Sequence, residues 1–75
     1  MESKNEVDLI GVAQPVCLLI YKRALHLMKS GEEVDILIQD PNVVEHLNLI
    51  ISRSVDQIIK TEKSDNYYRI SIRKG

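Results

Sequence analysis

The chain has one cysteine, Cys17, and two histidines, His26 and His46. Cys17 stands in the run Asp8–Leu19, DLIGVAQPVCLL, where a short apolar stretch ends at Gly11 and Pro15 opens a helical pattern. Proline is favoured at the first helical position, where its missing N–H costs nothing and its fixed φ suits the turn. Unpaired backbone N–H groups then point out of the strand-to-helix turn around Gln14–Cys17, and the helix dipole adds partial positive charge there. The chemistry such a place favours is that of an anion, here a thiolate or a persulfide. Cys17 is the one sulfur nucleophile available to it, as a carrier thiol in the first helical turn.

The periodicity of the helix weighs against that role. At 100° per residue, Cys17 shares an arc with Ile20, Tyr21, Ala24, Leu27 and Met28, while Lys22, Arg23, His26, Lys29 and Ser30 form the opposite, polar arc. A free cysteine behaves as a small apolar residue and is among the most buried types. Gln14 takes the mouth of the turn, where its amide can cap the helix or bond a partner. Leu19 breaks the pattern and stands on the basic face beside Arg23 and His26. An exposed leucine ringed by cations makes a small docking hot spot, although single surface leucines are also ordinary.

The other polar residues carry less. Neither histidine has a second His, Cys or carboxylate at ligand spacing, so no metal site is expected. Asp40 reads as a helix N-cap and Asp8 as a strand-end residue. No Ser-His-Asp set, glycine-rich phosphate loop or acid/base pair is present, and no cofactor is expected. Arg69, Arg73 and Lys74 with Tyr67 make a basic strand face on which an RNA base can stack. A net charge of −1 gives that face no overall basic excess, so nucleic acid is the weakest reading.

Those residues must be positioned by one small domain, 1–75, with Met1–Asn5 as a loose start. The core has to be aliphatic, because Trp and Phe are absent. A single cysteine forms no internal disulfide and fits a reducing compartment. The start, MESKNEVD, has no signal-peptide character. The longest apolar run, Val16–Tyr21, is far short of the roughly 20 residues a bilayer requires. A cytoplasmic monomer without membrane attachment is expected.

Alternation and helical period give the elements in order. Glu6–Ile10 reads as a strand and Pro15–Lys29 as a helix closed near Gly31. Glu33–Gln39 is a second strand, with Val34, Ile36 and Ile38 on one side and Asp35, Leu37 and Gln39 on the other. Asp40-Pro41 opens a second helix whose core face is Val43, Val44, Leu47, Ile50 and Ile51. Val55–Lys63 and Tyr67–Arg73 are strands joined at Ser64-Asp65-Asn66. Right-handed crossovers place both helices on one face of the sheet, an α/β two-layer sandwich of order β-α-β-α-β-β with the other face toward water.

The runs DLIGVAQP, SGEEVDILIQDP and YYRISIRKG resemble the TusA/SirA-like family of sulfur carriers over about residues 6–75. Asp8, Leu9, Gly11, Pro15, Gly31, Glu32, Asp40, Pro41, Tyr68, Arg69, Ile72, Arg73 and Lys74 match that family's pattern. The resemblance implies a mixed four-stranded sheet in the order 1-2-4-3, with strand four antiparallel to the others. It also implies persulfide relay. In that family a desulfurase or similar donor loads sulfur onto the cysteine of a Cys-Pro-x-Pro motif. An acceptor in tRNA thiolation, sulfur oxidation or metal-cofactor biosynthesis then takes it. In this chain the cysteine position is Gln14, the first proline is Pro15, and the second proline position is Cys17. The expectation is therefore a sulfur-pathway member without the usual carrier thiol, with its status as an enzyme left open. It would dock a desulfurase or acceptor protein through Leu19, Arg23, His26 and Asp40. The alternative is a carrier that uses the displaced Cys17.

Overall fold

The structure, a computed structural model, describes residues 5–75, so Met1–Lys4 of the expected loose start lie outside the described residues. Six elements follow in order: β1 (Asn5–Asp8), α1 (Val16–His26), β2 (Glu33–Ile38), α2 (Pro41–Ser52), β3 (Gln57–Lys63) and β4 (Tyr68–Arg73). The sheet order is β1-β2-β4-β3. β1 runs parallel to β2, and β4 is antiparallel to β2 and β3. This is the two-layer α/β sandwich expected, with the expected strand order.

The core is set by alternation. Val34, Ile36 and Ile38 of β2, paired with Ile72, Ile70 and Tyr68 of β4, point toward the helices. Leu47 and Ile51 of α2 and Cys17, Tyr21 and Leu25 of α1 close over them. α2 begins as its residues dictate. The Asp40 carboxylate caps it by accepting from the Asn42 N–H at 2.9 Å, and Pro41 takes the first turn. In β3 the register slips between Ile58 and Lys60. Ile59 is the extra residue of that bulge, so Ile58 faces the core while Ile59 turns to solvent.

α1 departs from expectation. It spans Val16–His26, with Pro15 at the cap position and Leu27 closing the last turn. Leu27, expected in the core, is 74% exposed, and Ile20 is 38% exposed; Leu25 takes the core position instead. The apolar arc of α1 is wider than the sheet can cover, and the sheet meets only the side that carries Cys17, Tyr21 and Leu25. Gly31 has the left-handed φ of +90° expected of it, but in the turn to β2, where its N–H donates to the Lys74 carbonyl at 2.8 Å. Strand ends also shift. β1 stops at Asp8 because that carboxylate accepts the Ile10 N–H and starts the turn, and β3 begins at Gln57 rather than Val55.

The buried phenol of Tyr21 makes one expectation testable here. Burial, and then the negative charge of Asp56, push its pKa from 10.0 up to about 12. The fold therefore favours the neutral phenol. Its contribution is fully present below pH 10 and is lost as the pH rises toward about 12, because the unfolded chain ionises first. Thermal unfolding followed by circular dichroism is expected to show a falling melting temperature across that window. Tyr21→Phe flattens the fall.

Candidate functional site

The turn before α1 is built from its own backbone. The Leu9 N–H donates to the Leu37 carbonyl at 2.9 Å, and the Val12 N–H to the Leu9 carbonyl at 3.1 Å. Gly11 turns the chain with φ +80°. Three first-turn N–H groups of α1 are used internally. Cys17 N–H donates to the Ala13 carbonyl, and those of Leu18 and Leu19 to the Pro15 carbonyl, at 3.1–3.2 Å. This corrects the expectation that the Cys17 N–H points outward toward an anion. No side chain caps α1, and its first turn has no acidic residue.

The side chains at this end divide sharply. Gln14 is exposed, and its Nε2 lies 3.4 Å from Nδ1 of His46 on α2. Cys17, three residues on, is 1% exposed and packs in the core cluster with Leu9, Ile38 and Val43. A cavity of about 150 Å³ reaches it between the ends of β1 and β2 and the starts of the helices, lined also by Val12, Ala13 and Asp40. Asp40 remains exposed while it caps α2. The residues expected to meet a partner, Leu19, Arg23 and His26, are all exposed on α1. His26 shares a hollow between α1 and α2 with Lys22, Leu25 and Ile50, a hollow that Leu19 and Arg23 do not line. Gln14, Cys17 and Asp40 thus gather at one end of the sandwich. His46 joins them, which no local pattern signalled because its neighbour lies on the other helix.

The open sheet face is a lattice of ion pairs. The Arg69 guanidinium reaches from β4 across β2, donating to Asp35 at 3.0 Å and to Glu6 of β1 at 2.8 Å. Ser71 Oγ donates to the other Asp35 oxygen at 2.7 Å. Arg73 meets Glu33 at 3.1 Å, and Lys60 meets Glu62 at 3.0 Å. The hydrogen bond to Glu6, and then that to Asp35, push the Arg69 pKa above its ordinary value. Asp35 and Leu37, expected to face water, are each 8% exposed beneath this lattice. Among the described residues no three of His, Cys, Asp and Glu lie together as metal ligands, and no helix is long and apolar enough to cross a membrane.

Comparison with known proteins adds the family. A search of curated proteins finds no match. Among solved structures, a SirA-like protein from Desulfitobacterium hafniense superposes with a TM-score of 0.78 at 22% identity, over 93% of this chain and 96% of that one. That likeness concerns the fold. The family described as Sulfurtransferase TusA matches residues 5–74, nearly the whole described chain. With the strand order, the Asp40-Pro41 helix start and the Gln14-Pro15 turn in place, the chain belongs to the TusA family of sulfur-transfer proteins.

Proposed function

We propose that this chain serves sulfur transfer in the cytoplasm as a monomeric docking member that carries no sulfur itself. The observation that carries this reading is the contrast at the start of α1. Residue 14, where the family's pattern has its thiol, is an exposed amide, and the chain's own thiol is 1% exposed at residue 17. A persulfide acceptor needs a thiolate that a donor's sulfur can approach. Gln14 offers no nucleophile, and Cys17 is 1% exposed at the bottom of a cavity of only about 150 Å³. The exposed residues Leu19, Arg23, His26 and Asp40 remain to meet a protein partner, a desulfurase or an acceptor. Gln14 adds an amide that can hydrogen-bond a partner at the point where a carrier would present sulfur.

The test is direct. The native chain, incubated with a cysteine desulfurase and cysteine, is expected to show no gain of a sulfur atom by intact mass. A gain that Cys17→Ala abolishes would overturn the reading. That outcome would favour the second reading, Cys17 as carrier, for which the cavity beside its side chain speaks. In that case the Cys17 thiolate attacks the terminal sulfur of the donor persulfide. A new S–S bond forms on Cys17, and the donor cysteine leaves as thiolate with the electron pair of the broken bond. The open sheet face lends no support to RNA binding, because Arg69 and Arg73 already hold carboxylates.

A further inference from the structure

α1 has an exposed apolar line, most of it outside the docking residues named above, with which it shares Arg23 and the bordering Leu19. Val16, Ile20, Arg23 and Leu27 succeed one another at spacings of four, three and four residues, which sets them in one line along a helix. Leu27 belongs to that line because it keeps helical dihedrals, φ −83° and ψ −6°. Val16 is 49% exposed, Ile20 38% and Leu27 74%, and Leu19, at 62%, borders them. The stripe runs about 16 Å at 1.5 Å per residue. It turns away from α2, because Lys22, Leu25 and His26 occupy the α2 side of the helix. Scattered surface leucines need no explanation, but four large apolar side chains on one flank of an eleven-residue helix form a patch.

The charge carried by α1 itself has one sign, and Arg23 is the charge within the line. From Leu9 to Gly31 the chain has no Asp or Glu, and it carries Lys22, Arg23 and Lys29; all eleven acidic residues lie elsewhere. We propose that this flank docks an amphipathic helix of a partner protein, one whose apolar stripe is bordered by carboxylates. The apolar line takes the partner's leucines, and Arg23, set between Ile20 and Leu27, takes a carboxylate. A second copy of this chain fits less well. Two such flanks face to face put two Arg23 guanidinium groups in one interface with no acidic residue on either helix to pair them, which like-charge repulsion disfavours. The geometry is that of a helix lying along a helix and read through anchors about four residues apart. This line shares Arg23 with the docking residues proposed above, but Val16, Ile20 and Leu27 are its own, so Leu27→Glu tests it separately, and it holds whether or not Cys17 carries sulfur.

The probe is a synthetic amphipathic peptide of helical period, with leucines on one stripe and glutamates beside it, titrated into the nitrogen-15-labelled chain. The comparison is the same peptide with lysine in place of glutamate. The expected result is saturable amide shifts confined to Val16–Leu27 on the outer flank. Affinity is expected to fall about tenfold or more with Arg23→Glu, and likewise with Leu27→Glu. The lysine peptide binds at least tenfold more weakly than the glutamate one, a comparison that needs no variant. Shifts on the α2 side or the open sheet, equal affinity for both peptides, or no binding would overturn the proposal. So would concentration-dependent sedimentation that Leu27→Glu abolishes, which assigns the flank to a second copy. Binding to phosphatidylglycerol vesicles that Leu27→Glu abolishes would also overturn it, by assigning the flank to an anionic membrane surface.

Discussion

The single thiol of the native chain is expected to react with a chromogenic aromatic disulfide about a thousandfold more slowly than the same thiol in denaturant. Cys17 is 1% exposed, and its neighbours Leu9, Ile38 and Val43 belong to the central cluster. The reagent is larger than the cavity of about 150 Å³ beside the sulfur. Reaction therefore waits for α1 to lift from the sheet. A local opening that costs about 4 kcal/mol is populated roughly once in a thousand molecules, which sets the expected suppression. The rate should climb with sub-denaturing urea, as an opening reaction does. A native rate within a fewfold of the denatured one would show that the sulfur is reachable as folded. The reading of the chain as a non-carrier would then fail, and Cys17 would take the carrier's place.

How much of this was legible beforehand differs by residue. The strands follow from alternation, and the start of α2 follows from Asp40 and Pro41, because capping and proline effects act within a few residues. Cys17 fell on the apolar arc of α1 by period alone, and the structure has it in the core. The same period puts Leu27 on the core arc, whereas it is exposed and Leu25 is buried. A helical wheel gives the width of an apolar face but not the side on which a sheet will meet it. Asp35 could not be read as buried, because Arg69 covers it from a strand 34 residues later in the chain. The approach of His46 to Gln14 spans 32 residues and joins two helices, so no local pattern holds it. The order of the strands came from resemblance to a family, since period and turns leave several orders open. The outer flank of α1 is illegible for the same reason: the period counts Ile20 and Leu27 with the core, and only the sheet's position shows them exposed.

Gln14→Cys, in a Cys17→Ala background, is expected to convert the chain from one that gains no sulfur to one that gains about one atom per molecule. Residue 14 is exposed at the mouth of α1, so a thiol there meets a donor without any opening of the fold. The new thiolate attacks the terminal sulfur of a desulfurase persulfide. An S–S bond forms on residue 14, the bond to the donor cysteine breaks, and that cysteine departs with the electron pair and is free to take up a proton. The helix end assists modestly. A dipole worth roughly 0.3–1 kcal/mol at an exposed terminus lowers a thiol pKa by under about one unit. The Cys17 N–H adds little, since it is already held by the Ala13 carbonyl. Placement rather than activation is therefore what the substitution restores. Disulfide reactivity separates the two ways it can fail. A variant that reacts quickly with the aromatic disulfide yet takes no sulfur from the desulfurase has a competent thiol and no docking. Leu19, Arg23, His26 and Asp40 would then not be a desulfurase surface. A variant that takes sulfur, and loses that ability on Arg23→Glu or Leu19→Glu with its disulfide reactivity intact, ties docking to this end of α1. The exposed amide of Gln14 would then be what keeps a docking-competent member of the family from carrying sulfur.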